Sequence, residues 1–320
     1  LIGIDLTGVY SMSGANFSGS NLSGGIFTNS NLDKGLFNNS ILDNIDFRTS
    51  FIGDTNFTES SLENTDFSGV NLQHANLESV DFTNSNLTNT NLCGQNTLTN
   101  TKFIKTNFKH ANLNRVNLST SFIDEVDFTN ATINHSDVYN KDLSNSILLG
   151  VNFDHSDLQL VNINGQNTLS GVSFKNANLT NITVSGASLE NINFESALLE
   201  DIDFKNVSSL KPSNYRFTSL KGSDFTNNDL SLIDFTGVTN MSNTKFHNSD
   251  LSNVILDNAS LSGADFSGAN LHSIDFFKAA NILPANYKYA CLSESNFSGK
   301  NLSTIDFTGV QNMINTNFEN

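Results

Sequence analysis

The sequence predicts an all-β fold, a quadrilateral solenoid of short parallel segments stacked coil upon coil, and three observations lead there. From Phe17 onward every fifth residue is large and apolar, running Leu22, Phe27, Leu32, Phe37, Leu42, Phe47, Ile52, Phe57, Leu62, Phe67 and on to Leu92. Two residues before each of these centres stands something small or β-branched (Ala15, Ser20, Thr55, Val70, Ala75, Val80), and between the two sits a polar residue, most often Asn or Asp (Asn16, Asn21, Asp46, Asp66, Asn71, Asp81). Phe and Leu alternate over 17–67, so that Phe recurs every ten residues.

Each observation constrains the geometry. In extended chain, side chains alternate between faces, so the small residue and the centre point inward while the Asn or Asp between them points out. Five is odd, so alternation cannot run on into the next pentad and the chain must turn a corner each time. A helix fails, because a step of five advances about 500° and smears the apolar residues over every face. Like stacks on like only if a coil holds an even number of pentads. Two would enclose no interior, so four is the smallest workable number, a square coil of about twenty residues with its neighbour about 4.8 Å away.

The register survives to the end of the chain only with an eleven-residue step at seven places: 6 to 17, 92 to 103, 163 to 174, 204 to 215, 235 to 246, 276 to 287 and 307 to 318. The sixth residue of each step is aliphatic (Met12, Leu98, Leu169, Leu210, Met241, Ile282, Met313), so each eleven reads as two pentads plus one extra residue, a bulge. The bulges near the ends, at Met12, Leu210, Met241, Ile282 and Met313, fall on Leu-type sides, where Met or Leu adapts to a displaced backbone better than a stiff ring. Counting on gives 62 pentads, about fifteen coils, and a rod of roughly 73 Å. Residues 204–246 return at 276–318, a duplication by blocks of pentads.

The pattern A(D/N)LXX, present as ANFSG at 15–19, ANLES at 75–79, ANLNR at 111–115, ANLTN at 177–181, ADFSG at 264–268 and ANLHS at 269–273, resembles that of the pentapeptide-repeat proteins. The resemblance covers essentially the whole chain. It implies a right-handed quadrilateral β-helix, and 1–320 is read as a single such domain. Leu1 in place of an initiator Met suggests part of a longer protein, and the open coil ends call for more chain, end-to-end homodimerisation or a partner.

No P-loop, nucleophile elbow, zinc ribbon or calcium nonapeptide occurs, so no enzyme, cofactor, catalytic residue or assigned metal site is expected. The sharpest local candidate is NHSDV at 134–138 followed by DHSDL at 154–158, which should stack His135 on His155 and Asp137 on Asp157 as a transition-metal pair or as a by-product of duplication. Lys141 and Lys300 occupy the small inward slot, either as purposeful buried charges or as stems that snorkel past a corner. Asn96, Asn167, Asn228 and Gln311 are also read as inward, three of them beside a bulge where backbone groups need partners. Cys93 and Cys291 fall on outward slots roughly 47 Å apart in this geometry and read as free thiols. Phe51, Phe122, Phe217, Phe277 and Tyr289 lie outside the inward register and are expected to spread over all sides without forming one docking face.

A net charge of −16 argues against nucleic acid and against an anionic membrane, and no apolar run reaches the length of a membrane span. A cytoplasmic protein is favoured, with a secreted bacterial one as the alternative. The expected function is that of a non-catalytic rod acting as scaffold, spacer or interaction surface for an unknown protein partner. Some members of the resembled family are acidic rods that imitate DNA and bind DNA gyrase, protecting against quinolones. That alternative is weakened by magnitude, since duplex DNA of ~73 Å would present about 43 charges.

Overall fold

The computed structural model describes residues 1–95 and 97–319. The backbone folds into two compact units, Leu1–Asp157 and Leu158–Asn320. Both are built from the same element. A single outward residue pairs in parallel with the residue twenty positions on, as in Asn16 with Leu36, Asp46 with Asp66 and Asn178 with Leu198. Where a bulge intervenes the interval becomes 21, as in Asp81 with Lys102, Asp203 with Asp224 and Asn270 with Cys291. Four pentads per coil therefore hold in each unit. Among the described residues these bridges lengthen into strands at Lys102–Ile104 and Phe122–Asp124, a parallel pair in which Phe103 faces Ile123.

The corners explain a second feature of the sequence, its excess of Asn and Gly two residues after each centre. The residue there takes a positive φ, for example Asn29 at 57°, Asn64 at 56° and Asn243 at 59°, while the amide of the following residue commonly bonds back to the centre, as from Ser30 to Phe27 at 3.1 Å. That is the requirement of a type II turn, and Asn and Gly meet it at least cost. The outward Asn or Asp then closes the corner, its Oδ1 accepting the amide two residues ahead: Ser18 to Asn16 at 3.0 Å, Arg48 to Asp46 at 2.9 Å, Ser68 to Asp66 at 2.8 Å.

Inside, the centres are buried from Leu22 to Phe297 almost without exception, Ile123 being only half-buried. In the first unit Phe17, Phe37 and Phe57 stack at 5.0 and 5.3 Å, and Phe27, Phe47 and Phe67 at 5.4 and 4.5 Å. The two columns meet edge to face at 6.0–6.3 Å, so Phe does face Phe across the coil. In the second unit Phe204, Phe225, Phe246, Phe266 and Tyr287 form one column, and Phe174, Phe194, Tyr215 and Phe235 another. Many inward hydroxyls are satisfied by backbone, Ser60 Oγ being a buried one without a partner. Ser30, Ser40, Thr55 and Ser85 donate to the carbonyls of Leu6, Phe17, Leu32 and Leu62, each a centre of the preceding coil, at 2.6–2.8 Å.

The bulges sit on Leu-type sides, with Leu210 beside Leu189, Met241 beside Leu220 and Ile282 beside Leu261. Met12, Leu98, Leu169, Leu210, Met241 and Ile282 are buried, whereas Met313, near the C-terminal edge, is 40% exposed. One detail differs from the sequence reading. The inward slot lies three residues before the displaced centre, filled by Gln95, Gln166, Val238 and Ala279, and after the last three of these the extra residue faces solvent. The amides of Ala280 and Asn281 both approach the carbonyl of Ala259, at 3.0 and 3.5 Å, which is two residues opposing one. Asn167 and Gln311 are therefore exposed extra residues rather than inward ones, because a bulge turns its added side chain outward. Asn96 lies outside the described residues.

Candidate interaction surface

The backbone at the bulges is satisfied by residues the sequence reading passed over. Gln95 reaches back with Nε2 to the carbonyls of Leu72 and Ala75 at 3.0 and 2.6 Å, and its Oε1 accepts the amide of Thr97 at 3.1 Å. Tyr215 and Tyr287, equivalent in the duplication, send their hydroxyls to the carbonyls of Leu210 and Ile282 at 2.8 and 3.3 Å, and burial pushes both phenols up. Asn228 is inward as expected and donates to Phe204 and Phe225, both at 3.1 Å. The signal for Gln95 and Tyr215 was the repetition itself, GQNT and NY recurring at corresponding steps.

The two inward lysines resolve into one pattern. Lys141 Nζ donates to the carbonyl of Ser121 at 2.6 Å and Lys300 Nζ to that of Ala279 at 2.7 Å, each half-buried. They do with an ammonium what Ser and Thr do elsewhere with a hydroxyl. Burial pulls the Lys141 pKa down. His135 and His155 do stack, with parallel rings 4.6 Å apart, and Asp137 pairs with Asp157. Both imidazoles are exposed at corners, with φ of 56° and 60°. Among the described residues no group of three or more metal-ligating side chains converges. Cys93 and Cys291 are free thiols, each half-buried.

On the outside, carboxylates in successive coils are bridged by basic residues. Lys205 lies 3.2 Å from Asp203 and 3.5 Å from Asp224, and Lys245 lies 3.6 Å from Asp224. The Arg48 side chain, bonded to Asp46 at 2.6 Å, holds that carboxyl below its usual range. What the frame does not explain is apolar surface. Phe51 (62% exposed), Phe122 (54%), Phe277 (57%) and Tyr289 (56%) stand where Asn, Asp or Gly would serve the fold. Tyr289 and Phe217 lean over Gly309 and Gly237 of the following coil, where an added Cβ would meet each ring at 2.4 Å. The five residues are not scattered evenly. Phe217 and Phe277 share one side of the second unit with Ile255, and Leu232 stands at the corner that leads into it, two aliphatics in polar slots.

The profile of the family described as "Pentapeptide repeats" matches with eight copies, over residues 11–48, 53–89, 97–130, 127–165, 168–208 and 239–276, well over half of the chain. The chain belongs to the pentapeptide-repeat family. Among solved structures, this pentapeptide-repeat protein is similar to HetL, which is involved in heterocyst differentiation regulation in the cyanobacterium Nostoc. The two are 16% identical over 84% of this chain and 90% of that one, with a TM-score of 0.18. It is similar to QnrB1, a plasmid-mediated fluoroquinolone resistance protein, at 18% identity over 85% and 90%, with a TM-score of 0.15. A pentapeptide-repeat protein of the Arabidopsis thaliana thylakoid lumen is 21% identical over 41% and 69%, with a TM-score of 0.11. No curated protein matches. At such TM-scores the superpositions carry no argument, and the assignment rests on the repeat. No helix among the described residues is long and apolar enough to cross a membrane.

Proposed function

We propose that this pentapeptide-repeat protein is a non-catalytic, right-handed quadrilateral β-helix of about fifteen coils, with 1–320 as a single domain, that serves as a scaffold or spacer by presenting a protein-binding surface. The observation that carries the reading is the set of large apolar side chains in outward slots, Phe51, Phe122, Phe217, Phe277 and Tyr289, at positions where the frame needs only Asn, Asp or Gly. Exposed aromatics of this kind supply binding energy at little entropic cost. End-to-end pairing of two copies is part of the proposal. Proteins captured on the immobilised wild type should be lost from a variant carrying Asn at all five outward aromatics. An identical captured set from both would sink the reading.

A second reading, the acidic DNA mimic directed at gyrase, is favoured by stacked outward carboxylates such as Asp46 with Asp66 and Asp229 with Asp250. Lysines and arginines bridging those columns weaken it. A supercoiling assay with DNA gyrase that shows no inhibition at micromolar protein removes the mimic.

A further inference from the structure

One side of the second unit and the corner that leads into it combine three features. The first is a set of exposed apolar residues: Phe217 (43% exposed), Ile255 (45%) and Phe277 (57%) on one side, and Leu232 (73%) at the corner where the preceding side meets it. Their coils are adjacent. Tyr215 stacks on Phe235 at 5.8 Å, Phe235 bonds to the carbonyl of Ile255 at 2.8 Å, and Asn258 to that of Lys278 at 2.9 Å. Each of these side chains leaves a large part of its apolar surface in water, Leu232 and Phe277 more than half of it.

The second feature is a cleft of about 490 Å³ at the corner beside them, walled by Pro212, Leu232 and Ile233 with Lys211 and Asp234 at its lip. It is large enough for one or two apolar side chains. The third is backbone conformation. Leu232 holds φ at 66° in a slot most often filled by Asn or Gly, though Leu160 and Phe217 also stand there, and its side chain stays in water. A branched side chain in the left-handed region costs roughly 1–2 kcal/mol, and Leu232 recovers little of that by burial. Folding alone would be better served by Asn.

The charges around these residues indicate what covers them. Lys211, Arg216 and Lys278 are each engaged by a carboxylate, Asp229 at 2.8 Å, Asp234 at 3.6 Å and Asp275 at 3.6 Å. Asp257 adds a fourth carboxylate to the same side, and the unit as a whole has fifteen Asp and Glu against nine Lys and Arg over 158–320, a net of −6. An apolar centre inside a rim with surplus negative charge complements an apolar anchor flanked by basic residues.

We propose that this side of the second unit is a docking face for a partner protein segment that inserts an apolar side chain into the Pro212–Leu232 cleft and carries Lys or Arg beside it. The proposal rests on the interaction-surface reading above and narrows it to one face and one partner chemistry. The test uses the full chain as bait for a random peptide library, with affinities then measured by fluorescence anisotropy on wild type, Leu232→Asn, Ile255→Asn and, as a control on another side, Leu198→Asn. Enriched peptides should pair apolar with basic residues and bind Leu232→Asn and Ile255→Asn at least tenfold more weakly, with Leu198→Asn unchanged. Leu232→Asn should melt no lower than wild type, which separates lost binding from lost folding. Peptides that bind all four proteins equally, or that are acidic, overturn this face while leaving an interaction surface elsewhere. No enrichment at all overturns both. Self-association in the centrifuge that Leu232→Asn abolishes would make the occupant a second copy and overturn the basic partner.

Discussion

Deleting one residue should have opposite consequences at a bulge and one pentad away from it. Thr239 is the extra residue of the step to Met241. It faces solvent, while its amide takes the carbonyl of Thr218 at 2.9 Å. Without it, Val238, Asn240 and Met241 already stand in the inward, outward and centre order of an ordinary pentad, and Asn240 inherits the Thr218 carbonyl. One hydrogen bond is exchanged for another, so the deletion should change stability by no more than about 1 kcal/mol. Asp229 belongs to a regular pentad. Its loss leaves four residues to span a side, and Leu230, fully buried against the neighbouring coils, cannot reach the interior without breaking a corner. Extracting a buried Leu costs ~2–5 kcal/mol and each broken ladder bond about 1 kcal/mol more, so destabilisation of roughly 3–6 kcal/mol is expected. Urea unfolding followed through near-ultraviolet dichroism of the buried Tyr215 and Tyr287 reads the flanking coils locally, which matters because long repeat arrays need not unfold in two states. Equal loss of stability in the two deletions, or a silent Asp229 deletion, would refute the account of bulge and register.

Tyr215→Phe should destabilise by about 1–2 kcal/mol, because the carbonyl of Leu210 is left buried without its donor; thermal melting checks it. Gly237→Ala should cost ~1–3 kcal/mol from a positive φ and a clash with the Phe217 ring, and in a double-mutant cycle Phe217→Ser should relieve the clash but not the conformational part. Lys141 has a folded pKa below its ordinary value because burial disfavours the ammonium, so between the lowered folded pKa and the unfolded value near 10.5 the unfolded chain binds more protons and stability rises with pH. Lys141→Ser, whose hydroxyl is placed to donate to the Leu118 carbonyl as Ser121, Ser136 and Ser156 donate to those of Leu98, Leu113 and Ile133, should flatten that rise and be at least as stable at neutral pH, as measured by urea midpoints across pH.

Much of the frame was legible in the sequence, and particular residues show why the rest was not. The period of five placed Phe27, Phe47 and Phe67 in one column, because alternation along extended chain is simple backbone arithmetic. Asn167 and Gln311 were misplaced because the count shows that a step holds one residue too many, and not which one leaves the ladder. Gln95 was overlooked for its neighbour Asn96 for the same reason. Lys141 was ambiguous because its partner, the Ser121 carbonyl, is backbone and leaves no mark on the sequence.

By itself, then, the sequence determined the pentad register, the twenty-residue coil, the sites of the bulges and the Leu-type sides that tolerate them, since all of these follow from spacing and side-chain volume along one chain. Tertiary structure decided which bulge residue turns outward, how inward hydroxyls and ammonium groups are satisfied, and that the Pro212–Leu232 cleft opens at a corner of the side that carries Phe217, Ile255 and Phe277. Those outcomes depend on contacts between residues twenty or more positions apart, where each bulge shifts the count by one and only the stacked coils show what meets what.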